Sequence, residues 1–347
     1  MHKLARIDRS MIVLAIPIFI VSNSLFGNIG FNDTTNIAYS QSEPTNRIDS
    51  NTTQSVSIKD IPLEKVHVGD IDIAFKMLGT GDPILLISPA QADMNAWDPS
   101  LLSTLSANHT VIAFDNRGVG NTSTGIKPFS VQQFAHDTVG LMNVLKIQNA
   151  SVLGYSLGSF IAQQLAVTYP EKVNSLMLIA SSCGGKESIP ADPRNLEMVV
   201  DMINKVANGT VVPSQEVKEV LSLGLGTGWL KLHPNILETT SFPEAKYLFP
   251  SITPDNNLKQ LNAGQKWFAK DWNGVCEDLT KISVPTLIMT GTDDVNVPTK
   301  NSLIIAEKIP GSWLVQIKDA GHQITGQYPD EINSILQTFL SVTGPDN

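Results

Sequence analysis

The sequence predicts an α/β protein: a mostly parallel, doubly wound sheet flanked by helices, with a helical lid inserted between two strands. Three observations predict it. Strand-like and helix-like segments alternate from Lys65 to Ala180, as a parallel sheet covered on both faces requires. Ile84-Leu85-Leu86-Ile87, closed by Ser88, is an uninterrupted apolar run that suits a central strand buried on both sides. The alternation stops at Ser181, a helical block without strand character runs from about Gly184 to Leu279, and the rhythm resumes at Val284. A block placed between two strands of one sheet reads as a lid rather than as a second domain.

The elements follow in order. Lys3, Arg6 and Arg9 precede the apolar stretch Met11–Val21 and the polar Ser22-Asn23-Ser24, the layout of an export signal. Its eleven residues fall short of the roughly 20 that span a bilayer. Residues 1–27 are therefore expected to be an export signal or an uncleaved anchor, the latter being the one route to a membrane, and the protein to be secreted or held at the cell surface. Residues 28–62 are rich in Asn, Ser, Thr and Asp and read as a flexible polar spacer.

The α/β core is expected over 63–183 and 280–343, with a helical cap over 184–279. Val66–Val68 and Ile71–Leu78 form a hairpin pattern around Gly69-Asp70, followed by the strand from Ile84. Then come a helix over Trp97–Leu105, a strand over Val111–Phe114, a helix over Val131–Leu145 and a strand over Ser151–Leu153. A helix over Ser159–Thr168 and a strand over Val173–Ala180 complete the first half. The cap carries helical patterns over Pro193–Val206, Ser214–Leu223 and Leu258–Phe268. Beyond it, Val284–Thr290 and Trp313–Ile317 read as strands, and Asn301–Ile309 and Asp330–Leu340 as helices.

Composition narrows the partners. The chain has 347 residues, 42% of them hydrophobic, with 24 Lys+Arg against 33 Asp+Glu and a formal charge of −9. Without clustered cations beyond the first ten residues, no nucleic-acid partner is expected. The two cysteines, Cys183 and Cys276, flank the cap and read either as a bridge across its base or as two separate buried thiols. Neither has a Cys or His neighbour at zinc-ligand spacing. Sequons begin at Asn32, Asn51, Asn108, Asn121, Asn149 and Asn208, in keeping with an exported chain.

The chemistry centres on Gly154-Tyr155-Ser156-Leu157-Gly158. A G-x-S-x-G match arises by chance in about one chain in ten of this length, so its placement decides. Ser156 stands where a strand ends and a helix begins, and ligands bind at such strand ends in open α/β sheets. The two glycines let neighbouring backbone pass close by, and the first helical turn aims its N–H groups at any oxyanion formed there. Of the six histidines only His322 follows the last predicted strand, where it can serve as the base that a serine needs. Asp293 and Asp294 follow strand Val284–Thr290 and are the candidate orienting acids. The bland readings are a helix-capping serine and a loop histidine.

Four motifs now stand in order: Gly-Tyr-Ser-Leu-Gly, Phe114–Thr122 (FDNRGVGNT), the G-x-x-D-x-x-V-P pattern ending at Pro298, and Ala320-Gly321-His322. With them the chain from about Lys65 to Val342 resembles the α/β-hydrolase fold family in its capped serine branch, which includes esterase-like, lactonase-like and C–C-hydrolase-like enzymes. The resemblance implies Ser156 as nucleophile, His322 as base and Asp294, four residues before Pro298, as acid. It also implies an oxyanion hole built from the backbone N–H groups of Leu157 and, by alignment, Ala90.

One departure stands out. Ser88-Pro89-Ala90-Gln91 replaces the family's His-Gly, and proline has no N–H to give. Side-chain donors from Ser88 or Gln91 are the alternative. Arg117 reads as a brace for its loop, with substrate binding as the other reading, and Trp229, Trp267 and Trp272 as the cap's own core or as pocket lining.

The expected activity is hydrolysis of a small carboxylic ester or lactone through an acyl-enzyme, with no cofactor and no metal. C–C hydrolysis, perhydrolysis and acyl transfer share the same triad. A non-catalytic, exported ligand-binding protein is the alternative of another class.

Overall fold

The computed structural model describes residues 57–239 and 251–343. The expected export signal or anchor and most of the polar spacer lie outside these residues. The spacer's last part does not read as the sequence suggested: Ile58–Asp60 forms a short 3-10 helix whose Ile58 is buried. Lys76 Nζ donates to the Ile58 carbonyl at 2.8 Å. The buried side chain and the ammonium tie this segment to the sheet.

The core alternates strands and helices as expected. In chain order it contains β1 (Glu64–Val68), β2 (Ile71–Leu78), β3 (Asp82–Ile87), α1 (Pro99–Ser106) and β4 (His109–Phe114). Next are α2 (Val131–Val144), β5 (Ala150–Tyr155), α3 (Leu157–Thr168) and β6 (Val173–Ile179). Between β6 and β7 the described residues form five α-helices: α4 (Pro193–Ala207), α5 (Ser214–Ser222), α6 (Thr227–Leu232), α7 (Ile236–Thr239) and α8 (Pro254–Trp267). The chain closes with β7 (Thr286–Gly291), α9 (Lys300–Lys308), β8 (Trp313–Ile317), α10 (Ile324–Gln327) and α11 (Pro329–Thr343).

The eight strands form one sheet in the order β1-β2-β4-β3-β5-β6-β7-β8. The pairings β1–β2 and β2–β4 are antiparallel, and all the others are parallel. Strands β3, β5 and β7 are buried along nearly their whole length, because helices cover both faces. One apolar layer packs α2 and α3 against the sheet through Phe134, Phe160 and Leu165, and the opposite layer packs α1 and α11 through Leu102, Leu336 and Phe339.

The helix starts follow from local chemistry. Asp98, Asp192 and Thr253 each cap a helix whose first residue is proline, an arrangement that satisfies one orphan N–H and spares another.

The inserted helices divide in their packing. Helices α4 and α5 share a small apolar cluster through Val199, Ile203, Val217 and Leu221, which Leu261 of α8 and Val119 of the core also join. Helix α8 further sends Ala263 and Trp267 into the main core beside Ala90, Leu157 and Phe160, so a boundary at residue 279 does not separate cap packing from core packing. Trp267 stacks on Phe160 with centroids 5.6 Å apart. Cys183 and Cys276 form a disulfide at the base of the insertion. Among the described residues, no helix is long and apolar enough to cross a membrane.

Candidate active site

Ser156 sits between the last residue of β5 and the first of α3 with φ 57° and ψ −112°. Non-glycine residues hold such a conformation only under constraint. Its N–H donates to the Ile179 carbonyl on β6 at 2.8 Å, and its own carbonyl receives the N–H of Ser159 at 2.8 Å and of Phe160 at 3.1 Å. The flanking glycines are required by space: a Cβ on Gly158 would run into the carbonyl of Ile87, and one on Gly154 into the carbonyl of Gly158. The side chain is thereby thrust out of the sheet's carboxyl edge.

There the three predicted side chains meet. Ser156 Oγ lies 2.8 Å from His322 Nε2, and His322 Nδ1 lies 2.7 Å from Asp294 Oδ2. The carboxylate acceptor assigns the ring proton to Nδ1, leaving Nε2 to accept from the serine hydroxyl. Asp294 Oδ1 receives the N–H groups of Asn296 and Val297, both at 2.9 Å, so the acid is fixed in its own turn. All three residues are buried.

Asp293, the other candidate acid, faces elsewhere. Its Oδ2 accepts from Thr227 Oγ1 at 2.7 Å and from the Gly228 N–H at 3.0 Å, and these bonds hold its carboxyl below the usual range. It caps α6.

The two backbone donors expected for the oxyanion, Leu157 and Ala90, are both buried and share one apolar cluster. Leu157 is the first residue of α3, a position whose N–H has no partner within the helix. Ala90 is buried in the loop after β3, which is pressed against the α3 turn at Gly158. At Gln91, the side-chain alternative, Nε2 donates one of its two hydrogens to Asn257 Oδ1 at 2.6 Å. The Ser88 hydroxyl, buried, has no hydrogen-bond partner among the described residues.

Arg117 is a brace. Its guanidinium is fully buried, bidentate to Asp137 at 2.8 and 2.7 Å and to Asp70 at 2.9 and 2.8 Å. The paired arginine holds the Asp70 carboxyl well below the usual range. Trp229 packs with Leu225 and Ile236 in the insertion, whereas Trp267 and Trp272 belong to the main core. Of the other described histidines, His67 and His136 are exposed, and His109 and His233 each contact a backbone carbonyl.

Sequence reasoning missed several residues at this site. Tyr155 donates through Oη to the His322 carbonyl at 2.6 Å, and Asn257 and Gln260 of α8 bond to Gln91. A start for α8 at Leu258 leaves Asn257 out of the helix. The signal that places it inside was Thr253-Pro254, a cap followed by proline at the first helical position.

A parallel sheet whose strand ends bring together a serine, an imidazole and a carboxylate defines the class of this protein, an α/β enzyme of hydrolase type. A sequence model of the alpha/beta hydrolase fold matches residues 82–325, and the chain belongs to that family. It is similar to a protein of Azorhizobium caulinodans named as a candidate carbamate hydrolase, RutD, with 28% identity over 79% of this chain and 96% of the relative. It is also similar to the poly(3-hydroxyalkanoate) depolymerase of Ectopseudomonas oleovorans, with 28% identity over 74% of this chain and 84% of the relative. Among solved structures, an alpha/beta hydrolase fold protein from Chitinophaga pinensis superposes with a TM-score of 0.65 at 24% identity, covering 82% of this chain and 99% of its own. That likeness concerns the fold alone. The protein is a hydrolase.

Proposed function

We propose that this hydrolase cleaves carboxylic esters or lactones through an acyl-enzyme on Ser156. The observation that carries the reading is the continuous relay from Ser156 Oγ to His322 Nε2 at 2.8 Å and from His322 Nδ1 to Asp294 Oδ2 at 2.7 Å. As Oγ attacks the carbonyl carbon, its proton passes to Nε2, and Asp294 stabilises the imidazolium. The oxyanion is held by the N–H groups of Leu157 and Ala90. Collapse breaks the carbonyl–alkoxy bond, and the alkoxide leaves with the proton from Nε2. Water then attacks the acyl-enzyme, gives its proton to His322, and Ser156 is restored.

The similarity to a poly(3-hydroxyalkanoate) depolymerase supports ester chemistry, since the polymer in that name is a polyester. Export belongs to the same reading, supported by the Cys183–Cys276 disulfide, which persists in oxidising compartments. A fluorophosphonate probe and a panel of p-nitrophenyl esters and simple lactones test the function. The expected result is labelling and turnover by the wild type, both lost in Ser156→Ala. A folded wild type that neither takes the label nor turns over any member of the panel would overturn it.

A further inference from the structure

Helix α8 reaches from the insertion to the loop after β3, and its contact falls on the residue that follows Ala90. The Gln91 N–H donates to Gln260 Oε1 at 2.8 Å, and Gln91 Nε2 donates to Asn257 Oδ1 at 2.6 Å. Gln260 and Asn257 are each 1% exposed. Gln91 has φ 67°, a left-handed conformation that costs a non-glycine residue roughly 1–3 kcal/mol unless its surroundings enforce it. The bond from its N–H to Gln260 holds the backbone in this conformation, and the bond to Asn257 anchors its side chain.

The consequence concerns the peptide just upstream. Pro89 has a fixed φ and no N–H, so the loop cannot be held by a bond of its own there. The Ser88 carbonyl receives Asn116 Nδ2 at 3.2 Å, which pins the loop before the proline. The Ala90–Gln91 peptide is pinned after it, through the bond to Gln260. The N–H of Ala90 lies between these two anchors, and its direction follows from both.

Helix α8 is itself fixed to the core at both ends. Asn256 Nδ2 donates to the Gly118 carbonyl at 3.0 Å and to Thr124 Oγ1 at 2.9 Å. At the far end Trp267 Nε1 donates to the Ser182 carbonyl at 3.0 Å. A rigid strut with two buried amides at one loop residue suits the task of orienting a dipole, where a small misplacement is costly.

We propose that Gln260 is a positioning residue, seconded by Asn257, which acts through Gln91 to aim the Ala90 N–H at the oxyanion. The proposal rests on the acyl-enzyme reading above and explains how a Ser-Pro-Ala-Gln loop can serve in place of His-Gly.

The test compares Gln260→Met, which keeps length and loses the acceptor, with Gln260→Glu, which keeps an acceptor oxygen. Gln260→Met is expected to lower kcat on a p-nitrophenyl ester about tenfold or more, a part of what full loss of an oxyanion donor costs. KM should change less than about twofold, and a trifluoromethyl ketone inhibitor should weaken by the same factor as kcat/KM. Gln260→Glu should retain most of the rate. In an Ala90→Pro background, where the donor is already gone, Gln260→Met should have no further effect.

Unchanged kcat and inhibitor affinity in Gln260→Met, or full additivity with Ala90→Pro, would overturn the proposal. Should Gln260→Met fail to fold, Asn257→Leu breaks the other bond to Gln91 and carries the same expectations at smaller size. Fluorophosphonate labelling of the wild type separates the two failures: no label sinks the acyl-enzyme reading and this proposal with it, whereas label with an unaffected Gln260→Met sinks this proposal alone.

Discussion

Tyr155 Oη donates a 2.6 Å hydrogen bond to the carbonyl of His322, across 167 positions of sequence. The residue before Ser156 thus holds the backbone of the histidine whose ring meets the Ser156 hydroxyl. Burial, with the Asp294 charge adding to it, pushes the phenol pKa far above its usual value, so the group remains a donor throughout the working pH range. Tyr155→Phe removes this donor and leaves a buried carbonyl without it, at a cost of about 1–3 kcal/mol. We expect a stable enzyme with kcat lowered about five- to tenfold and KM little changed, measured by steady-state kinetics on one ester. An unchanged kcat would show that the histidine loop is held without this bond.

The acid is the sharper test of the relay. Asp294→Asn keeps an acceptor for the Asn296 and Val297 N–H groups but offers the imidazole an amide in place of a carboxylate. The ring then loses its enforced tautomer, and kcat is expected to fall about 10³- to 10⁴-fold. Asp293→Asn, one residue away, should leave kcat within about threefold, since an amide oxygen can still accept from Thr227 and Gly228. Equal losses in the two variants would remove Asp294 from its assigned role.

Much of this was legible in the sequence because each signal was local. Apolar runs marked β3, β6 and β7, and the pentapeptide at Ser156 marked the turn from β5 into α3. Ser156, Asp294 and His322 each follow a predicted strand, and strand ends in a parallel sheet share one edge. The parts that escaped are non-local. Nothing in the residues near Gln91 announces that an amide 169 positions away will bond its N–H. Helices α6 and α10 are short and stand on tertiary contacts rather than on their own periodicity. Ile58 was masked by its polar neighbours, which hid a single buried anchor in a segment of spacer composition.

Asp115 gives the stability a pH dependence. It is fully buried, and its two oxygens accept from the N–H groups of Met94 and Asn121, both at 2.8 Å. Burial outweighs these bonds and pushes its carboxyl up to about 6, with Asp93 adding to the shift and Lys76 opposing it. The folded state therefore binds a proton that the unfolded chain, with a carboxyl near 3.8, releases. The resulting stabilisation is complete below the unfolded value and is lost as the pH rises through about 6. Its size is at most about 3 kcal/mol. Urea denaturation of wild type and Asp115→Asn between acid and neutral pH should show the wild type losing ground to the variant as pH rises. A difference independent of pH would contradict the assignment.

The loop that carries His322 is seated on glycine. Residues Leu223–Trp229 read L-G-L-G-T-G-W, and this stretch runs against residues 319–323. Gln323 N–H donates to the Gly224 carbonyl at 2.8 Å, and Trp229 N–H to the Asp319 carbonyl at 3.2 Å. A Cβ on Gly226 would strike the Asp319 carbonyl, and one on Gly321 the Gly226 nitrogen. Backbone meets backbone there, so neither side can yield by turning a side chain, and Gly226→Ala must displace the histidine loop. We expect that variant to lose stability and kcat together, with Tm lower by several degrees and kcat reduced at least tenfold. Asp293→Ala releases the cap on α6 and a bond from the Thr292 hydroxyl, and should cost about 1 kcal/mol with a far smaller loss of kcat. Because the capping bonds lower the Asp293 carboxyl, that stabilisation is present above the unfolded value of 3.8 and is lost as the pH falls through the lowered folded one. Calorimetry and kinetics on the two variants decide the matter: a Gly226→Ala enzyme with wild-type kcat would mean that the insertion can move without carrying His322 along.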